Sequence, residues 1–169
     1  MTDICYAWIP VGEAQGIPFS MKDCRSTKTP AIYRWAFFKC GVAFPVKVYV
    51  GETENLSRRI GQYTKPHRTQ QTNFEVHDEI EKSIKDGFKV WLEILKIEPV
   101  MINRVNLCNE NLCDPFVREM IENFVLADID TAYCVVLNIA ENRISRRRRK
   151  AVKNNPFADT MRAQGLDVD

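Results

Sequence analysis

The sequence places an arginine on the apolar side of a predicted helix. The stretch NLSRRIGQY, residues 55–63, predicts a helix with Asn55 as its N-cap. Arg59 shares one face with three apolar or aromatic residues, whereas Arg58 falls off that face. The residues of this face, spaced i, i+3, i+4 and i+7, are Leu56, Arg59, Ile60 and Tyr63.

Three interpretations of Arg59 follow from its position. A guanidinium buried among apolar groups without a partner costs several kcal/mol. The side chain could reach the helix edge and keep its charge in water, or it could pair with a carboxylate such as Glu93 or Glu122. The third interpretation is that the face opens on a cleft that binds an anion. The helical pattern alone does not favour one of these interpretations over the others.

Two tyrosines precede the helix, on strands that are predicted to form a hairpin. The runs AIYRWAFF, from Ala31, and VKVYVG, ending at Gly51, are rich in β-branched and aromatic residues, and a turn region with Gly41 separates them. If Tyr33 and Tyr49 point to the same face of this hairpin, two phenols meet on one surface. The register that decides this is not fixed by the sequence.

The remaining patterns predict two more helices and one more strand. A helix over FEVHDEIEKSIKDG ends at Gly87, the strand FKVWLEILKIE ends at Pro99, and a helix over DPFVREMIENFVLADI begins with Asp114 as its cap and Pro115 in its first turn. The predicted order is β-β-α-α-β-α, an α+β domain over residues 31–142. Residues 1–30 are predicted to be an irregular arm with one short strand, and residues 143–169 a basic tail.

Composition excludes several classes of protein. The 169 residues are 45% hydrophobic and 27% charged, and no window approaches the ~18 apolar residues of a membrane span. The first residues lack a signal-peptide pattern, so we expect a cytoplasmic protein. We expect the six scattered cysteines to be free thiols, as is usual in a reducing compartment. A zinc site at Cys108 and Cys113, with another cysteine or His67, is the alternative, which the lack of a CxxC pair and the presence of only two histidines disfavour.

The order of the motifs resembles that of the GIY-YIG nuclease superfamily. AIY at Ala31–Tyr33, YVG at Tyr49–Gly51 and the helix after them stand where the family has its GIY strand, its YIG strand and its arginine-bearing helix. Arg59 follows Leu56 by three residues, as the family's catalytic arginine follows a hydrophobic residue. Ala31 replaces the first glycine, and Tyr63 stands where many members have histidine. The resemblance extends from residue 31 to residue 138, and it implies a small mixed three-stranded sheet flanked by helices.

The resemblance implies a site that hydrolyses phosphodiester bonds. It assigns Glu122, in MIENF, to one divalent ion, Mg²⁺ or Mn²⁺, with waters completing the shell. Asn138, in VVLN, matches the asparagine that often closes the domain. Read from the residues alone, Glu122 could equally be a surface residue beside Arg118, and Asn138 could simply end a strand.

The same resemblance gives the other polar residues their roles. Arg59 would stabilise the phosphate as charge builds on it. Tyr33 is the candidate to accept the proton of the attacking water, while Tyr49 and Tyr63 would position the phosphate or the base. A phenol with a pKa near ~10 needs help from nearby cations to act as a base at neutral pH. As ordinary strand residues, Tyr33 and Tyr49 would be half-buried aromatics instead.

Two basic segments are candidates for contacts with nucleic acid. The segment TKPHRTQQTN follows the predicted site helix and contributes Lys65, His67 and Arg68. The tail carries RISRRRRK, residues 143–150, in a region with 8 Lys+Arg against 3 Asp+Glu, whereas residues 1–142 carry 16 against 19. Both could instead be ordinary solvated segments. The tail residues predicted to bind nucleic acid are Arg146, Arg147, Arg148, Arg149 and Lys150.

The sequence therefore predicts a metal-dependent endonuclease that acts on DNA, with a restriction or defence role by analogy. Cutting both strands of a duplex would require a homodimer or two sequential events. Two alternatives stay open: a binding module that keeps the fold without cutting, and an interaction protein that docks a partner on residues 1–30.

Overall fold

The computed structural model describes residues 4–24, 28–67, 69–102, 105–131 and 133–138. The chain divides into two compact units, residues 1–137 and residues 138–169. The elements of the first unit are β1 (Tyr6–Gln15), β2 (Ser20–Lys22), β3 (Ala31–Phe38), β4 (Lys47–Thr53), α1 (Leu56–Thr64), α2 (Gln71–Lys85), β5 (Lys89–Ile97), β6 (Val100–Ile102), β7 (Val105–Leu107), a 3₁₀ turn (Asn109–Cys113), α3 (Pro115–Asp128) and β8 (Val135–Val136).

The fold is α+β, as predicted, and it is built on one six-stranded sheet. The strand order is β2-β1-β5-β3-β4-β8, and every pairing is antiparallel except the one between β4 and β8. A separate hairpin joins β6 to β7. The resemblance implied a mixed sheet of three strands, whereas the structure has six; the central strands β5, β3 and β4 pair antiparallel.

The sheet gains its other strands from segments that the sequence patterns did not mark as strands. β1 and β2 lie within residues 1–30, where an irregular arm with one short strand was predicted, and β1 pairs along β5 from Tyr6 to Ala14. The pairing shifts between Pro10 and Gly12, which is a β-bulge. β8 adds two residues beside β4.

Helices cover both faces of the sheet. On one face, α1 and α2 pack against alternate residues of β3 and β4, among them Tyr33, Trp35 and Tyr49. On the other, α3 packs through Ile121 and Val125 on a cluster that includes Ile32 and Val50. We call these the α1–α2 face and the α3 face.

The predicted helix ends are found in the structure. Asn55 Oδ1 accepts the backbone N–H of Arg58 at 2.9 Å and so caps α1. Asp114 caps α3, with Pro115 in the first turn. Gly87 follows α2 with a φ of +81°, a conformation that glycine adopts readily.

Two further expectations bear on the class of protein. All six cysteines are free thiols, as predicted. Among the residues that the structure describes, no helix has the length and apolar character to cross a membrane.

Candidate active site

Four of the predicted site residues come together on the α1–α2 face. Tyr33 lies opposite Gly51, and Tyr49 lies opposite Trp35, so both phenols point to the same face of the β3–β4 hairpin. Tyr63 of α1 packs between them: its ring centroid is 6.2 Å from that of Tyr33 and 6.2 Å from that of Tyr49. The register thus places both phenols on one surface, which the sequence alone did not determine.

Gly51 makes room for the first of these phenols. A Cβ at this position would lie 2.5 Å from Tyr33 Oη and 2.7 Å from Tyr33 Cζ, so any side chain here would force Tyr33 or the β4 backbone to move. The ring of Tyr33 therefore lies directly over the backbone of β4. The glycine that ends the YVG motif is required by close approach and not by a turn.

Arg59 is held by phenols and an amide. Its Nε donates to Tyr33 Oη at 2.9 Å, its Nη1 donates to Gln62 Oε1 at 3.1 Å, and its Cζ lies 5.0 Å from the centre of the Tyr63 ring. Tyr33 Oη also shares a 2.7 Å hydrogen bond with Tyr63 Oη. This network fixes the plane of the guanidinium with neutral partners.

Among the described residues, the structure excludes one of the three interpretations of Arg59, its pairing with a carboxylate. Glu93, one predicted partner, binds Arg34 on the α3 face instead, with 2.6 Å between Nε and Oε2. No ion pair of the described residues includes Arg59. Its neighbour Arg58 is exposed and pairs with Glu54. A half-buried arginine whose charge is not neutralised by a carboxylate in this part of the chain is suited to binding an anion.

Burial governs the protonation of the site. It raises the pKa of the Tyr33 phenol above its usual range, and the nearby Arg59 lowers it by less. Burial likewise raises the pKa of Tyr63. Burial lowers the pKa of Arg59, but the oxygens of Tyr33 and Tyr63 outweigh this effect, so its pKa stays high. At neutral pH, Tyr33 and Tyr63 are therefore neutral phenols beside the cation of Arg59.

Glu122 stands apart from this cluster. It lies on α3, half-buried, and the helix packs on the α3 face through Ile121 and Val125. One turn earlier Arg118, beside which Glu122 was expected, is buried and donates to Glu52 Oε2 at 2.7 Å. The sheet separates the helix of Glu122 from that of Arg59.

For the other predicted residues, the structure gives no described contact with the Arg59 cluster. Lys65 ends α1 and is exposed, and exposed His67 contacts the Thr69 hydroxyl through Nδ1 at 2.9 Å. Asn138 belongs to the second unit, so its role stays a prediction. Arg68 and the basic segment 143–150 lie outside the described residues.

Three contacts of the site were not predicted. Gln62 follows Arg59 by three residues, a helical spacing that could have indicated it. Trp35 packs edge-on against Tyr63, with ring centroids 5.7 Å apart. His77 of α2 contacts the Tyr63 carbonyl through Nδ1 at 2.8 Å. The last two depend on how strands and helices pack, which no local pattern shows.

The chemistry of the donors bears on the metal that the resemblance implies. The described residues contain no group of three or more His, Cys, Asp or Glu side chains that could hold an ion. Mg²⁺ binds proteins through one or two carboxylates and keeps several waters, so a single glutamate is a suitable donor. The carboxylate of Glu122 is therefore a chemically suitable ligand for Mg²⁺.

Comparison with protein families gives one match. Residues 45–111 match the family model of the GIY-YIG catalytic domain. The matched segment contains Tyr49, Arg59 and Tyr63, while Tyr33 and Glu122 lie outside it. The chain has no significant match among curated proteins, and none among solved structures.

Proposed function

We propose that this chain, whose residues 45–111 match the GIY-YIG catalytic domain, is a metal-dependent endonuclease that hydrolyses phosphodiester bonds in DNA. The observation that supports this most is the guanidinium of Arg59, half-buried and held only by neutral groups of the described residues. A phosphate is the anion that such a planar donor suits best.

Arg59 binds a phosphate oxygen and stabilises the negative charge on the non-bridging oxygens of the phosphate in the transition state. Its Nε donates to Tyr33 and its Nη1 to Gln62, so in this proposal Nη2 binds the phosphate oxygen. Tyr63 stacks beneath the guanidinium and limits its rotation. The phosphate therefore meets a cation that is already oriented, which reduces the entropy lost on binding.

Tyr33 serves in this proposal to hold Arg59. The expected role of a base requires a pKa shifted downward toward neutrality, whereas burial raises the pKa of this phenol. Tyr33 is also fully buried and already bonded to Arg59 and Tyr63. We therefore assign it to positioning. Tyr49 packs against Tyr63 and supports the same cluster.

We propose Glu122 as the ligand of one Mg²⁺ or Mn²⁺. Held by Glu122, such an ion would supply Lewis-acid stabilisation of the charge on the phosphate. Asn138, Lys65 and His67 keep their predicted roles in closing the site and contacting the substrate, as do the basic residues beyond the described ones. A restriction or defence role, and a homodimer for cutting both strands, belong to the same proposal.

The first test compares two adjacent arginines. Supercoiled plasmid is incubated with the wild type, Arg59→Ala and Arg58→Ala in Mg²⁺ or Mn²⁺. We expect the nicking rate to fall by roughly 10²–10³ in Arg59→Ala. It should stay close to the wild-type rate in Arg58→Ala, because that side chain is exposed and bound to Glu54. Equal rates in the two variants would contradict the role of Arg59.

The second test concerns the metal. Glu122→Gln should lose activity, or require much more Mg²⁺ for half-maximal rate, whereas Glu119→Gln, an exposed change one turn earlier on α3, should not. Both variants are first shown to be folded. If the wild type cuts no substrate but binds DNA in a salt-sensitive way, the chain is a binding module that keeps the fold.

A further inference from the structure

The α3 face of the sheet extends beyond the cluster on which α3 packs. That cluster holds Ile32 and Val50 near one end of the central strands. Two open pockets, of about 590 and 540 Å³, are lined by residues of this face: the first by residues of β1, β3 and β4, the second by residues of β1, β3 and β5. The half-buried side chains of this region are Trp8, Arg34, Phe38 and Trp91.

The first pocket has aromatic walls and a guanidinium. The Arg34 Cζ lies 4.4 Å from the centre of the Trp8 ring, and Tyr6 packs edge-on against Trp8 at 6.1 Å. Phe44, from the β3–β4 loop, and Tyr133, which precedes β8, also line it. Their exposed fractions are 55% and 71%, so both rings are free to contact a ligand.

The second pocket combines aromatic rings with lysines. Phe38 and Trp91 line it together with Lys39 and Lys89. Glu93 also lines this pocket, and its Oε2 accepts a hydrogen bond from Arg34 Nε at 2.6 Å. Because Arg34 neutralises this carboxylate, the two lysines set the charge of the second pocket.

Two further carboxylates lie near this surface. Asp130 lines the first pocket, in a turn whose carbonyl accepts the N–H groups of Tyr133 and Cys134. Glu13 lies opposite Trp91 in the sheet and accepts a hydrogen bond from Gln15 Nε2 at 2.8 Å. Arg34, paired with Glu93, lies over the Trp8 ring, and the charges not paired in this way are those of Lys39 and Lys89, which line the second pocket.

Aromatic faces beside cations recognise unpaired nucleobases and the phosphates that join them. We propose that this part of the α3 face binds single-stranded nucleic acid. One base stacks in the first pocket among Trp8, Phe44 and Tyr133, and the backbone passes Lys39 and Lys89. The proposal rests on the proposed function, because the bound strand would be part of the nuclease's substrate.

The test uses the full chain and labelled oligothymidylate and oligouridylate, in EDTA so that no cutting occurs. Phe44→Ala and Tyr133→Ala should each weaken binding about 10-fold or more. Phe116→Ala is the matched control, since Phe116 is 74% exposed on α3 and lines neither pocket. The oligonucleotide bound more tightly identifies the strand as DNA or RNA.

The lysines and tryptophans give independent measurements. Lys39→Gln and Lys89→Gln should each reduce the slope of log affinity against log salt by about 0.7. Stacked bases should quench the fluorescence of Trp8, and Trp8→Phe should remove that component. Trp35 is fully buried and should not contribute to the quenching.

The outcomes separate this proposal from the nuclease proposal. If Phe44→Ala and Tyr133→Ala bind the oligonucleotides as tightly as the wild type, the proposed binding surface on the α3 face is wrong, even if the protein cuts plasmid. Absence of oligonucleotide binding by the wild type overturns it too. If the wild type cuts no substrate but binds the oligonucleotides, and these two variants lose that binding, the nuclease proposal is wrong and the proposal of a binding surface is supported. A wild-type dimer that Tyr133→Ala converts to monomer, with unchanged oligonucleotide binding, assigns the face to a second copy instead.

Discussion

At the scale of single residues, the absence of a side chain at position 51 matters as much as the presence of Arg59. Tyr33 can reach Arg59 only because its ring lies where a Cβ on Gly51 would be. The position of the guanidinium therefore depends, through the ring of Tyr33, on a glycine of β4. Changes at this glycine should affect activity and folding together.

We predict that Gly51→Ala destabilises the protein by about 1–3 kcal/mol, because an overpacked core must move Tyr33 or the β4 backbone. The nicking rate should fall by at least about 10-fold, since Arg59 loses its support. Urea unfolding and plasmid nicking measure the two effects. Gly61→Ala is the control: nothing lies within 4 Å of its added Cβ, and alanine should stabilise α1 by up to about 1 kcal/mol. Equal losses in both variants would contradict this account.

The residue patterns predicted part of the site. Helical spacing placed Arg59 and Tyr63 on one face because both lie on a single helix. Strand alternation could not place Tyr33 beside Tyr63, because the contact depends on the β3–β4 register and on how α1 packs. His77 reaches Tyr63 from a different helix, and the sequence between them gives no measure of that distance.

At the scale of elements, α1 is a helix of nine residues whose first turn carries the site arginine. Its N-cap contact joins Asn55 Oδ1 to the N–H of Arg58, directly before Arg59. A helix this short depends on its cap and on its packed face for stability. Fraying of the first turn would move Arg59 from its hydrogen bond with Tyr33.

We predict that Asn55→Ala costs about 1 kcal/mol of stability, the usual value for a lost N-cap. The nicking rate should fall several-fold, because part of the population has a frayed first turn. Asn55→Asp keeps an oxygen acceptor and should retain stability close to the wild type. Thermal unfolding and initial nicking rates give the two quantities. A stable but inactive Asn55→Ala protein would indicate that Asn55 contacts the substrate directly.

The elements were predicted where their pattern was strong. The hairpin of β3 and β4, the helices and β5 all have clear periodicity or cap residues. β1 was not predicted as a long strand because Pro10 and Gly12 flank a bulge that interrupts its alternation. β8 is two residues long and has no pattern of its own. Tertiary pairing with β5 and β4 makes these segments strands.

At the scale of the whole molecule, the buried phenols link stability to alkaline pH. The pKa values of Tyr33 and Tyr63 are raised in the folded state by burial, so these phenols ionise first in the unfolded chain. Their contribution to stability is fully present below the unfolded pKa near ~10. It is lost as pH rises from there through the folded pKa values, at up to about 1.4 kcal/mol per pH unit for each group.

Urea unfolding between about pH 9 and about pH 11 should therefore show falling stability for the wild type. Tyr63→Phe removes one of the two groups, so its stability should fall less steeply, whatever its value at neutral pH. Comparing slopes removes the contribution of other titrating groups. Identical slopes in the two proteins would show that burial of Tyr63 does not resist its ionisation.

The arrangement of layers also shapes the proposed mechanism. Arg59 belongs to the helices on one face of the sheet, and Glu122 belongs to the helix on the other. A family resemblance assigns both residues to one site, yet it specifies neither the path between them nor the substrate's shape. The Glu122→Gln and Arg59→Ala comparison tests whether the two residues act in the same step.

The pairing of β8 with β4 has a consequence for synthesis on the ribosome. Lys47 of β4 pairs with Val135 of β8, so this edge of β4 can pair only after residues that are synthesised much later. Such a distant pairing adds loop-closure entropy and slows folding. Until that segment leaves the exit tunnel, one side of β4 has no strand beside it, and nascent chains stalled before residue 135 should be the ones that chaperones retain.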